Sequence, residues 1–152
     1  MTQIGFYHLL NTPLEAALPR LLSKAVEQGM RALVMAASPA RVKALDGALW
    51  VFDQGSFLPH GTAKEGRAEA QPIYLTATEE NPNGAGLLVL TDGVAPREPS
   101  FIDGFERCLD LFDGNDGQAV EAARGRWTRL KEDGHDLTYW QQTGQGGWQK
   151  KD

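Results

Sequence analysis

The feature that most constrains this chain is a series of short apolar runs with turn formers between them. Residues 31–37 (RALVMAA), 72–77 (PIYLTA) and 86–91 (GLLVLT) are apolar without alternation. Runs of that length and pattern suit strands covered on both faces of a parallel sheet. Residues 3–9 (QIGFYHL) read as a further buried strand, and helical patterns lie between the first runs. After Thr12-Pro13-Leu14-Glu15, a cap-then-proline start with Glu15 placed for a capping box, Leu14, Leu18, Leu21, Leu22, Ala25 and Val26 recur at helical spacing. Pro19 is expected to kink that helix or displace its start, and Gly29 to end it as a left-handed cap. Ser38-Pro39 opens a second helix with Val42, Leu45, Leu49 and Phe52 inward. The order β-α-β-α implies a parallel sheet, here mostly parallel and with helices on both faces. A length of 152 residues suits one such domain over 1–152.

The C-terminal half is less regular. Residues 53–71 read as a long polar loop. Pro99-Ser100 predicts a third helix with Phe101, Phe105, Cys108, Leu109 and Phe112 inward. A break at 113–117 precedes a fourth helix to about residue 133, with Ala119, Ala123, Trp127 and Leu130 on one side. DLTYWQQ alternates weakly, as an edge strand would, and about 143–152 is expected to be a flexible tail.

An α/β chain invites a search for a phosphate loop, which needs glycines between the first strand and its helix. Here that turn is Leu10-Asn11-Thr12-Pro13, and the next is Ala37-Ser38-Pro39. The expectation is a Rossmann-like α/β fold without a nucleotide-binding loop, and without a cofactor. His8, His60 and His135 are scattered and lack ligand spacing, so no metal site is expected. Cys108 is the only cysteine, which excludes an internal disulfide, and it reads as core packing. No apolar run reaches membrane-spanning length, and the start MTQIGFYHLL lacks a basic leader region. A cytoplasmic protein is expected. The net charge of −5 argues against direct grip on phosphates and favours contact with DNA through a protein partner.

Aromatic and basic residues are more informative. Trp50 falls one step off the buried stripe of its helix, with Phe57 in the loop beyond. Arg124, Thr128 and Lys131 share one face of the fourth helix, with Trp127 beside them. Tryptophan beside arginine is a common make-up of protein-binding hot spots, and suits an acidic peptide end with an apolar side chain. Trp127 as core, with the arginines as a solvated face, fits the periodicity equally well.

Several strings occur in order: FYHL at 6–9, ALDGALWVFDQGSFLPH at 44–60, FERCLDLFDG at 105–114, ARGRW at 123–127 and KEDGHDL at 131–137. Together they resemble the chi subunit family of bacterial DNA polymerase III. The resemblance implies a non-catalytic accessory subunit of a DNA-directed DNA polymerase complex. Such a subunit links the clamp loader to single-stranded DNA-binding protein through the acidic C-terminal tail of the latter. It also implies the psi subunit or a repair helicase as further partners. By position, Trp50, Arg124, Trp127, Thr128 and Lys131 are assigned to the tail pocket and Phe57 to the psi or helicase surface. Val120 and Thr128 stand where the family can carry lysine. Two other classes remain as alternatives: a nucleotide-binding α/β enzyme, and a direct single-stranded DNA binder stacking bases on Trp50 and Trp127.

Overall fold

The computed structural model describes residues 2–51, 59–145 and 147–151, the side chain of Glu65 excepted. Its described strands form one sheet in the order β3-β4-β2-β5-β6-β1-β7-β8. They are β1 (Gln3–Leu9), β2 (Ala32–Met35), β3 (His60–Gly61), β4 (Ile73–Thr76), β5 (Leu87–Leu90), β6 (Arg107–Asp113), β7 (Asp136–Gln142) and β8 (Trp148–Lys151). Every neighbouring pair is parallel except β7 with β8.

Helices cover both faces. On one, α1 (Leu14–Glu27) and α2 (Pro39–Trp50) bury Leu18, Leu22, Leu45 and Leu49 against Val34, Leu75 and Val89. On the other, α3 (Ser100–Asp103) and α4 (Gly117–Glu132) bury Ile102, Ala123 and Leu130 against Phe6, Leu88 and Phe112. Strands β2, β4 and β5 are buried throughout, as their apolar runs require.

The local signals act as the chemistry predicts at most ends. Ser38 Oγ accepts the Arg41 N–H at 3.2 Å and caps α2 ahead of Pro39. Gly29, at φ +78°, closes α1: its own N–H bonds Val26 O, and the Met30 N–H bonds Ala25 O. Gly134, at φ +89°, closes α4 in the same way on Lys131 O and Leu130 O. The start of α1 departs from expectation. Pro13 stands at the cap with no side-chain bond, because the Thr12 hydroxyl takes a hydrogen bond from Gln142 Nε2 at 2.7 Å instead. Glu15 leaves the capping box to pair with Arg41. Pro19 is buried within α1 without ending it.

Four expectations are corrected. The third helix stops after four residues, and the segment carrying Cys108, Leu109 and Phe112 is strand β6. Phe105, Cys108, Leu109 and Phe112 fit a helical stripe, but a run buried on both faces fits either element. DLTYWQQ is β7, an internal strand between β1 and β8, not the sheet edge. Part of the tail, Trp148–Lys151, is that outer strand, and two 3₁₀ turns (Ala63–Glu65 and Ala68–Ala70) with β3 lie within the 53–71 loop. Among the described residues no helix is long and apolar enough to cross a membrane.

Candidate functional site

Alternation along β1 points Phe6 and His8 toward α4, where Phe112 of β6 and Tyr139 of β7 join them. Trp127 covers this group from α4. Its ring lies 5.3 Å from Phe6 and 6.0 Å from Tyr139, edge-on to both. The ring of His8 lies 5.0 Å from that of Phe112, and its Nδ1 shares a short hydrogen bond with the Tyr139 hydroxyl. Gly114 makes this possible: a Cβ there would fall 1.9 Å from His8 Cδ2 and 2.6 Å from Leu9 O.

Arg124 lies one turn before Trp127, exposed, and acts electrostatically on both His8 and Tyr139. Burial holds His8 below the usual imidazole range, and Arg124 adds to that; burial holds Tyr139 above the usual phenol range, and Arg124 opposes it. Thr128, exposed, donates its hydroxyl to Arg124 O at 3.1 Å, and Lys131 is exposed one turn further on. The surface of α4 thus carries two cations beside a half-buried indole on an aromatic bed. Val120, packed against the core, adds no charge. Arg126 points inward and bonds Asp110 at 2.6 and 2.9 Å.

Trp50 is elsewhere. It ends α2 on the other face of the sheet, 56% exposed, its ring 4.9 Å from that of His60 on β3. Strands β4, β2, β5 and β6 separate β3 from β1. Trp50 therefore shares no pocket with Arg124, Trp127, Thr128 and Lys131, which the structure does bring together. Spacing along the chain cannot show which face of a sheet a helix covers, and the two helices cross over in opposite directions. Phe57 lies outside the described residues. His60 is buried with Nε2 3.0 Å from Asp46, and His135 Nδ1 accepts the Thr2 N–H at 3.3 Å. The thiol of Cys108, fully buried, is pushed well above its usual pKa by burial, with Asp110 adding to it. Among the described residues no group of three or more His, Cys, Asp or Glu could hold a metal ion.

A cleft of about 790 Å³ opens where β1 and β6 send their helices to opposite faces. Ligands of open α/β sheets bind at this kind of switch point. In the β1–α1 turn beside the cleft, the backbone amides are already engaged. The N–H groups of Leu10, Asn11 and Thr12 all donate to Gln142 Oε1, at 3.0, 2.7 and 3.1 Å. Arg41 is held by Glu15 and Asp92, Arg126 by Asp110, and Asp113 and Asp116 line the same rim. Sequence reading missed Gln142, because its partners lie some 130 positions away.

The family model for the DNA polymerase III chi subunit, HolC, matches residues 1–138. The DNA polymerase III subunit chi of Pseudomonas aeruginosa is 33% identical over 140 residues, covering 90% of this chain and 94% of that protein. The probable DNA polymerase III subunit chi of Rickettsia prowazekii is 30% identical over 90 residues, or 59% of this chain and 54% of that protein. Among solved structures, the C-terminal domain of S. cerevisiae Dbp5 L327V, bound to Gle1 H337R and IP6, superposes with a TM-score of 0.57 at 9% identity, covering 91% of this chain and 90% of that one. At that identity the likeness is one of fold alone. By the match over residues 1–138 and the Pseudomonas relative, the chain belongs to the DNA polymerase III chi subunit family.

Proposed function

We propose that this chain is a non-catalytic replisome adaptor that links the clamp loader to single-stranded DNA-binding protein by holding the acidic C-terminal tail of the latter on α4. The observation that carries this reading is Arg124 and Lys131 beside the indole of Trp127. Tail carboxylates pair with the two cations, and an apolar terminal side chain packs on the exposed edge of Trp127. Thr128 adds a hydroxyl to the same helix face. Trp50, on the far face, is assigned together with Phe57, which follows it in the sequence, to a second surface, for psi or a repair helicase. Two partners on opposite faces can bind at once, as a linker requires. The non-catalytic reading is supported by Gln142, whose side chain occupies the amides a nucleotide phosphate would need.

The test is a calorimetric titration with a peptide copying the C-terminal tail of the single-stranded DNA-binding protein of the same organism, at low and moderate salt. Saturable binding that weakens with salt supports the reading, since exposed ion pairs are screened. Absence of binding at both salts, in calorimetry and in an independent assay, contradicts it.

A further inference from the structure

The flank of the sheet opposite α4 carries a partly exposed aromatic cluster. Helices α1 and α2 pack mainly over β2, β3, β4 and β6, with Tyr7 of β1 partly buried against their core. Three adjacent strands place aromatic rings there. Tyr7 of β1 and Trp140 of β7 are register partners whose rings are near-parallel, 14° apart, at 6.2 Å. Trp148 of β8 stands perpendicular to Tyr7 at 4.9 Å. All three are half-buried. Trp140 is fixed by donating its Nε1–H to Thr138 Oγ1 at 3.1 Å.

Beside the rings is a depression of about 260 Å³, floored by Gly5, with Arg107, Gln3 and Asp136 on its rim. Gly5 is required by close approach, because a Cβ would lie 2.9 Å from the Tyr7 ring. Lys150 is the register partner of Trp140 and so lies on the same face. In a chain of net charge −5, the described residues of this patch include two cations, Arg107 and Lys150, beside the carboxylate of Asp136. Flat π-faces on neighbouring strands, flanked by cations and with amide, hydroxyl and carboxylate groups at the rim, are the chemistry that takes unpaired bases and their phosphates.

We propose that the Tyr7–Trp140–Trp148 face is a single-stranded nucleic acid contact, in which a base stacks on these rings while Arg107 and Lys150 meet the flanking phosphates. The acidic balance of the chain makes this a weak, accessory grip, suited to a strand held nearby by a partner. It is independent of the tail site, which lies on the other face, so either can fail without the other.

The experiment is a tryptophan-fluorescence titration of the full chain with oligothymidylate of about ten nucleotides at low salt, a length within the usual span of such sites. Quenching that weakens steeply with salt is expected. Trp148→Ala should bind about tenfold more weakly, within the range that loss of one stacked base gives, and Trp148→Phe should retain most of the affinity. Trp148 is on the outermost strand, so its variants are expected to keep the fold, and a circular dichroism melt checks this; Arg107→Gln, read by anisotropy of a labelled oligonucleotide, supplies a second variant. No binding at low salt overturns the proposal, as does binding that both variants leave unchanged. Sedimentation showing a dimer that Trp148→Ala disperses also overturns it, and assigns the face to a second copy of the chain.

Discussion

Arg126 reaches from α4 through the helix–sheet interface and places two hydrogen bonds, 2.6 and 2.9 Å long, on the carboxylate of Asp110, whose side chain is 1% exposed. The pair ties α4 to the middle of the sheet and so sets which residues of the helix face outward. Burial nonetheless holds Asp110 above the usual carboxyl range, with Arg126 pulling it back down. Removing the guanidinium leaves a buried charge uncompensated. Arg126→Met is expected to destabilise the fold by about 3–5 kcal/mol in urea unfolding at neutral pH. An acid with a raised folded-state pKa contributes stability below its unfolded pKa and loses it as pH rises through the folded value. The deficit of Arg126→Met should therefore shrink toward pH 4. A deficit independent of pH would contradict this account of the pair.

Gly114 is the second sensitive position, and the reason is space, not backbone angle. A methyl group there would overlap His8 and Leu9 O, where Gly114 N–H also bonds Leu9 O at 2.7 Å. Gly114→Ala is expected to cost about 1–3 kcal/mol, as overpacking does, and to displace His8 from Tyr139. Chemical denaturation measures the first effect, and the shift of the His8 ring signals the second.

His8 gives a prediction of opposite sign to Asp110. Burial, with Arg124 adding to it, lowers its pKa in the folded chain, so its contribution is present above the unfolded value near 6.5 and is lost as pH falls through the folded value. A ring titration followed by nuclear magnetic resonance should show a midpoint below that of a free imidazole, moving upward in Arg124→Ala.

Gln142 is the fourth. Its Oε1 accepts from the amides of Leu10, Asn11 and Thr12, and its Nε2 donates to the Thr12 hydroxyl. Gln142→Ala leaves those donors without their acceptor and is expected to cost about 1–3 kcal/mol. Because the turn then presents three free amides at a helix start, sulfate should restore part of the lost melting temperature, while it leaves the wild type little changed. Equal response of both proteins to sulfate would contradict the role given to Gln142.

Much of the fold was legible because local chemistry decided it. The doubly buried strands carried unbroken apolar runs, Ser38-Pro39 and Gly29 marked helix ends, and the strand–helix alternation required a parallel sheet. What escaped reading depended on distant partners. A carboxylate is tolerated within β6 because Arg126 pairs with Asp110 from α4, and Thr12 looked like a cap until Gln142 engaged it. The grouping of Arg124, Trp127, Thr128 and Lys131 followed from helical spacing. The addition of Trp50 to that group failed, because the face a helix covers is set by the direction of its crossover and not by the spacing of its residues.

The measurement that bears most directly on the adaptor reading is a titration of the ¹⁵N-labelled chain with the tail peptide, following the indole N–H signals of its four tryptophans. The account predicts that Trp127 and the backbone signals of Arg124, Thr128 and Lys131 shift with saturation, and that Arg124→Ala weakens binding by about tenfold, as loss of a charge-assisted contact does. It predicts that the Trp50 indole stays still. Shifts confined to Trp50 and its neighbours, with α4 unmoved, would contradict it.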